Sequence, residues 1–169
     1  MMSGEDGRIA AVQMISGAEV AANLAVATEL VAQAAGAGAA LVALPEYFAL
    51  LSADEHAKVA ARELDGSGPM QDWLAETAAR HGVWLVGGTI PLVADDAARV
   101  RNSVLVFDGS GRRVARYDKM HLFGFDNGAE RFDESRTIEA GSRVACVDTP
   151  FGRLGLSVCY DLRFPELYR

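Results

Sequence analysis

The order of apolar segments along the chain predicts a mixed α/β fold. An apolar run at residues 8–14 is followed by a helical pattern at 18–35 and by a second apolar run at 40–44. This strand–helix–strand order is typical of a parallel sheet. The second half of the chain has β-rich runs in pairs around short turns, which is typical of antiparallel hairpins. We therefore expect parallel and antiparallel strands in one fold.

Two helices of several turns are predicted in the first half of the chain, and each ends at glycine. The apolar residues of the first recur at steps of four and three: Val20, Leu24, Ala27, Val31 and Ala34. Gly36 and Gly38 would end this helix. The second helix begins at Pro69, because proline suits the first turn, and it runs to His81 before Gly82. Its apolar face predicts packing against the sheet.

The remaining strands are predicted from β-rich runs between turn residues. They lie at residues 83–89, 99–107, 114–119, 144–149 and 153–158. The segment 118–141 is long and polar and has no clear period, and such a length in a compact domain usually indicates a functional loop. Pro165 is expected to open a helix that has only about one turn before Arg169.

Composition excludes several classes of function. The 169 residues suit one domain, and 16 basic against 23 acidic residues give a net charge of −7, which argues against a nucleic-acid or anionic-membrane surface. No apolar run is long enough to span a membrane. Residues 1–7 lack the features of a secretory signal and are expected to form a flexible tail. The two cysteines are expected to be reduced thiols, and the protein to be cytoplasmic.

Three residues that can perform chemistry each follow a predicted strand. Cys159 could be a nucleophile, Glu46 a general base and Lys119 an oxyanion stabiliser. Taken singly, they are more simply explained as a structural thiol, a loop acid and a solvated lysine. Because the carboxyl ends of strands share one edge of an α/β sheet, we expect the three side chains to lie together. Cys146, in mid-strand, is expected to be a buried structural thiol.

Three blocks of sequence add specificity to this prediction. They are LPE at residues 44–46, YDKMHLF at 117–123 and GLSVCYDLRFPE at 155–166. In this order and spacing they resemble the signature blocks of the nitrilase superfamily, the carbon–nitrogen hydrolases. The opening strand and Val86-Gly87-Gly88 also fit. The resemblance implies a four-layer αββα sandwich, of which residues 8–169 would be an N-terminal portion, incomplete at the C-terminus. It implies neither a metal nor an organic cofactor.

The resemblance also implies roles for individual residues. Glu46 would be the general base, Lys119 would stabilise the tetrahedral intermediate and Cys159 would be the nucleophile. A second glutamate of the family, in the loop after the lysine, matches Glu134, and Glu130 is the competing match.

The residues that follow Cys159 bear on the substrate. Tyr160-Asp161 resembles the amidase branch that contains omega-amidase and deaminated-glutathione amidase. Arg163 corresponds to a clamp for substrate carboxylates, a role that suits a bidentate guanidinium, and Tyr160 is a candidate substrate-binding residue. The implied reaction cleaves a small, carboxylate-bearing amide to acid and ammonia, in a protein that is a homo-oligomer when full length. An N-carbamoyl amino acid hydrolase and a catalytically inactive fragment are the alternatives.

Other chemistries have weaker support in the sequence. A Cys–His pair with His121 would suggest a papain-like hydrolase, but His121 also belongs to the second block. Ser157 stands in a near match to the Gly-x-Ser-x-Gly nucleophile motif, with cysteine in place of the second glycine. His56 and His81 have no partners at metal-ligand spacing, so no metal site is predicted.

Overall fold

The computed structural model describes residues 7–169, so residues 1–6 of the predicted flexible tail lie outside the described part of the chain. The helices are α1 (Val20–Gly36), α2 (Ala57–Ala60) and α3 (Pro69–His81). The strands are β1 (Arg8–Ala11), β2 (Ala39–Ala43), β3 (Trp84–Val86), β4 (Ile90–Val93), β5 (Val100–Phe107), β6 (Arg113–Asp118), β7 (Gly124–Asp126), β8 (Arg131–Asp133), β9 (Cys146–Thr149) and β10 (Gly152–Gly155). Single 3-10 turns span Glu134–Arg136, Cys159–Arg163 and Pro165–Tyr168.

Six strands form the main sheet. Strands β1, β2 and β3 are parallel neighbours, and β5 continues the sheet antiparallel to β3. The long strand β5 pairs with β6 along its other edge, while β4 pairs with the first half of β5. Because β6 is antiparallel to β5, it runs in the same direction as β2 and β3. The ends of β2 and β6 therefore lie at the same edge of the sheet, which places the segments carrying Glu46 and Lys119 together.

The two faces of the sheet are covered by different elements. Helices α1 and α3 pack on one face, where Leu105 and Phe107 of β5 join the larger core. On the other face, Val104 and Val106 pack against the hairpin formed by β9 and β10. This alternation follows from the two-residue period of a strand. The layers of helix, sheet and second-sheet hairpin confirm the mixed α/β prediction and follow the order of the sandwich that the resemblance implies.

The predicted helices and hairpins are confirmed, with ends that differ by a few residues. The predicted strand at 83–89 is shorter in the structure, because it ends at Val86 and is followed by Gly88 in a left-handed conformation (φ +50°). Strand β4 was not predicted, since Pro91 interrupts its β pattern; it lies at an edge of the sheet, where proline is tolerated. The segment 118–141 is more regular than expected, because it contains the β7–β8 hairpin.

The prediction that Cys146 is buried is wrong. Cys146 begins β9 and is exposed. Its neighbours Ala145 and Val147 pack against the main sheet, so the alternation of side chains along the strand turns Cys146 to the opposite face. Within residues 7–169, no helix has the length and apolar character needed to cross a membrane.

Candidate active site

Glu46 is held by a tight loop at the end of β2. The next residue, Tyr47, has a positive φ of 56°, and its backbone N–H donates a hydrogen bond to the Thr89 hydroxyl at 2.8 Å. The backbone at Pro45 can lie this close to Gly88 only because Gly88 has no side chain, since a Cβ atom there would lie 2.1 Å from the carbonyl oxygen of Pro45. The end of β3 at Val86 therefore allows the following residues, Gly88 and Thr89, to hold the loop that carries Glu46.

Lys119 lies between two carboxylates. Its side chain is fully buried, and its Nζ atom is 3.0 Å from Glu46 Oε1 and 2.9 Å from Glu134 Oε2. Burial alone would lower the pKa of Lys119, but the hydrogen bonds and charges of the two glutamates outweigh it and raise the pKa. Asn102 donates a hydrogen bond of 2.8 Å to the same oxygen of Glu46. The ammonium is thus kept charged at a fixed position.

The structure places Glu134, and not Glu130, against Lys119. Glu134 accepts hydrogen bonds from the Tyr47 hydroxyl at 3.1 Å and from the backbone N–H of Phe123 at 2.7 Å. Glu130 is exposed in the turn between β7 and β8, where its N–H donates to the side chain of Asn127. The unpredicted hairpin β7–β8 carries the chain out and back, and so returns Glu134 to the site.

Cys159 reaches the site from the second sheet. We expected all three candidates at one edge of one sheet, and this is wrong for Cys159, which follows the small-sheet strand β10 by four residues. Because that hairpin lies over the main sheet, Cys159 and Glu46 still border the same cavity, of about 340 Å³. Cys159 has a positive φ of 47°, an uncommon conformation for a side chain with a Cβ and one often found at functional sites.

The thiol of Cys159 is not a ready thiolate in the free protein. Partial burial and the negative charge of Glu46 raise its pKa, and the opposing charge of Lys119 does not compensate. A thiol of this kind needs a base to take its proton during attack on a substrate. Glu46, which borders the same cavity and whose charge acts on this thiol, is the candidate base.

Asp161 is a site residue that the sequence reasoning missed. It is fully buried and accepts hydrogen bonds from the Tyr117 hydroxyl at 2.6 Å, from the Val158 N–H at 2.9 Å and from the His121 N–H at 3.0 Å. Burial acts to raise the pKa of Asp161, but these hydrogen bonds outweigh it and lower the pKa. Asp161 thereby fixes the turn that presents Cys159. Its place within the third sequence block was the available signal.

The rival nucleophile arrangements are not assembled. His121 Nδ1 lies 2.6 Å from Asp161 Oδ1, and its ring stacks on Phe164 at a centroid distance of 3.7 Å. No described hydrogen bond joins His121 to Cys159, so the pair required for a papain-like hydrolase is absent from residues 7–169. Ser157 is exposed and has no described hydrogen bond to a basic side chain.

Tyr160 and Arg163 lie outside the cluster of Glu46, Lys119 and Cys159. Tyr160 is half-buried and packs edge-on against Phe123, with ring centroids 5.2 Å apart. Arg163 is exposed, has no described ion pair and does not border the Cys159 cavity. In the described part of the chain, no group of three or more His, Cys, Asp or Glu side chains is arranged to hold a metal ion.

We expect Cys159 to be alkylated by iodoacetamide only at a pH above that required by a free cysteine, because its pKa is raised. The Glu46→Gln substitution removes a negative charge beside the thiol and should shift the pH profile of alkylation to lower pH. Mass spectrometry of a Cys146→Ser background, which leaves one thiol, measures the profile. An unchanged profile would show that Glu46 does not act on Cys159.

Known proteins resemble this chain over nearly its whole length. The sequence profile of the family described as "Carbon-nitrogen hydrolase" matches residues 8–169. A deaminated glutathione amidase of Yersinia enterocolitica is 38% identical over 168 residues, which cover 98% of this chain and 58% of the relative. An omega-amidase of Danio rerio is 38% identical over 161 residues, covering 95% of this chain and 57% of the relative.

A solved structure shows the same fold. The NitFhit protein of C. elegans superposes with a TM-score of 0.79 at 35% identity, over 94% of this chain and 39% of the other. The present chain therefore spans somewhat more than half the length of the two amidases, at 58% and 57%.

Proposed function

Because the chain belongs to the carbon–nitrogen hydrolase family, we propose that it cleaves a small, carboxylate-bearing amide to an acid and ammonia through a thioester on Cys159. The observation that carries this proposal is the placement of Glu46: one carboxylate oxygen contacts Lys119 at 3.0 Å, and the same side chain borders the cavity of Cys159. A base, a cation and a thiol thus converge where an amide carbonyl would sit.

In the first half of the reaction, Cys159 forms a bond to the carbonyl carbon. Glu46 takes the thiol proton as sulfur attacks, and Lys119, with backbone N–H groups, stabilises the negative charge that develops on the carbonyl oxygen. Glu46 then gives its proton to the amide nitrogen, the carbon–nitrogen bond breaks and ammonia leaves. The acyl group remains on sulfur as a thioester.

In the second half, water replaces sulfur. Glu46, ionised again, removes a proton from a water molecule that attacks the thioester carbon. The resulting intermediate collapses with cleavage of the carbon–sulfur bond, and the proton held by Glu46 returns to the thiolate. Glu134, on the far side of Lys119 at 2.9 Å, keeps the ammonium in place through both steps.

We expect succinamate to be hydrolysed with a kcat/KM at least about tenfold above that of butyramide, because a charge-assisted contact to its carboxylate contributes more than about 1.4 kcal/mol. Ammonia release measures both reactions, and the two substrates differ only in the carboxylate. Arg163, the clamp suggested by the sequence, is one candidate cation for it. Equal rates for the two amides would contradict the proposed substrate class.

Two alternatives come from the same family. The first is an N-carbamoyl amino acid hydrolase. Such an enzyme would hydrolyse N-carbamoyl-β-alanine faster than succinamate when the two compounds are assayed side by side. The second alternative is a catalytically inactive chain; the chain spans 57% of the length of the omega-amidase. In that case the 169-residue chain would release no ammonia from any of these compounds. A cytoplasmic location and a homo-oligomeric full-length protein, expected from the sequence and the resemblance, belong to the same proposal.

A further inference from the structure

A second lysine lies beside the catalytic carboxylates. The chain has 14 arginines but only two lysines, Lys58 and Lys119. Lys58 belongs to the short helix α2, is half-buried and places its Nζ atom 5.6 Å from the centroid of the Tyr47 ring. The hydroxyl of the same tyrosine donates to Glu134, which in turn contacts Lys119. A single aromatic ring thus separates the second ammonium from the catalytic cluster.

The ammonium of Lys58 has no protein anion in contact with it. Within residues 7–169 it forms neither a hydrogen bond nor a salt bridge within 4 Å. The nearby acids are engaged elsewhere: Glu134 is bound to Lys119, and Glu55 lies 3.7 Å from Arg136. Burial lowers the pKa of Lys58 even though Glu134, Glu55 and Glu46 act to raise it. An anion brought to this position would therefore gain a charge-assisted contact that the protein itself does not provide.

Open space leads to this ammonium. Lys58 borders a cavity of about 270 Å³, together with Tyr47, Leu50 and Phe132. On its inner side it also borders a much smaller cavity, one wall of which is Thr89. The same threonine borders the larger cavity that holds Glu46 and Cys159. The surroundings of Lys58 and those of the nucleophile thus share Thr89 as a common wall residue.

We propose that Lys58 binds the free carboxylate of the substrate, while Cys159 attacks the amide at the other end. This inference rests on the proposed function and names the residue that would bind the substrate carboxylate. Lys58 is preferred to Arg163 for this role because Lys58 is half-buried beside Tyr47, whereas Arg163 is exposed to solvent. A partly desolvated ammonium gives a stronger contact with a carboxylate than an exposed one.

The binding of succinamate and butyramide to a Cys159→Ala chain, which cannot form the thioester, tests the inference without turnover. Calorimetry should show that Lys58→Gln in this background weakens succinamate binding at least about tenfold, as expected for loss of a charged hydrogen bond. Butyramide binding should stay within about twofold, since butyramide has no carboxylate, and Lys58→Arg should retain most of the succinamate affinity. The parallel substitution Arg163→Gln should have the smaller effect on succinamate.

Several outcomes would overturn the inference. They are an equal loss for both amides, a loss confined to Arg163→Gln, and no succinamate binding by the Cys159→Ala chain. Protection of Lys58 from chemical acetylation is a measurement that needs no substitution at this residue. Succinamate, but not butyramide, should slow the acetylation of Lys58 by acetic anhydride. Equal rates of acetylation with the two amides would contradict the inference. Lys58-dependent binding of succinamate without ammonia release by the wild-type chain would contradict the proposed function alone. Hydrolysis of succinamate by the wild-type chain, together with a succinamate affinity that is unchanged by Lys58→Gln, would contradict only the inference.

Discussion

Replacement of Cys159 by alanine is expected to abolish ammonia release from succinamate, with a loss in kcat of at least about 10³-fold. Cys159 is the thiol that borders the same cavity as Glu46. Without its sulfur no thioester forms. Glu46 and Lys119 can then promote only a direct attack by water, which is a weaker nucleophile than the thiolate. The prediction applies to any version of the protein that turns over the substrate.

The second cysteine provides a matched control. Cys146 is also exposed, but it begins β9 and faces away from the main sheet. Cys146→Ala should therefore leave kcat within about twofold of the wild type, since surface substitutions away from a site have small effects. Retention of more than about 5% of activity by Cys159→Ala would contradict the assignment of the nucleophile, as would an equal loss in the two variants.

Much of this fold and part of the site could be predicted from the sequence, because they depend on local patterns. The apolar period of α1 and the proline and glycine that bound α3 determine those helices without reference to the rest of the chain. Three ordered motifs sufficed to bring Glu46, Lys119 and Cys159 into one hypothesis. The family resemblance of those motifs is confirmed by the profile match over residues 8–169.

The features that were missed depend on contacts between distant residues. Strand β4 contains Pro91, and only its pairing with β5 makes it a strand. The role of Asp161 follows from donors on Tyr117 and His121, which are 44 and 40 residues away in the sequence. The exposure of Cys146 follows from which face of the hairpin meets the sheet. Lys58 belongs to no motif, and only the folded chain brings it to Tyr47.

Lys119 is the residue whose loss is expected to affect both stability and activity. Lys119→Met removes a fully buried ammonium that contacts Glu46 at 3.0 Å and Glu134 at 2.9 Å. Two carboxylates would then face each other without a cation, and breaking a buried ion pair in this way costs about 3–5 kcal/mol. Urea unfolding measures the free-energy difference. Ammonia release should also be lost, because the developing oxyanion loses its cation.

The pH dependence of this difference has a definite sign. The pKa of Lys119 is raised in the folded protein, so its stabilising contribution is complete below the ordinary lysine pKa of about 10.4. That contribution declines as pH rises through the raised value. The gap in unfolding free energy between the wild type and Lys119→Met should therefore be constant from about pH 7 to about pH 9 and narrow in strong alkali. A gap that already narrows between about pH 7 and about pH 9 would contradict the ion-pair explanation.

Two further variants separate charge repulsion from loss of packing. The double substitution Lys119→Met with Glu134→Gln removes one of the facing charges and should recover at least about 1 kcal/mol of stability, although activity stays lost. Lys58→Met, at the other lysine, removes an ammonium that has no described ion pair and should cost less than about 1 kcal/mol. If Lys119→Met lowered the free energy of unfolding no more than Lys58→Met, the contacts of Lys119 with the two glutamates would not be a major source of stability. A large cost without recovery in the double variant would instead assign the effect to packing around the lysine stem.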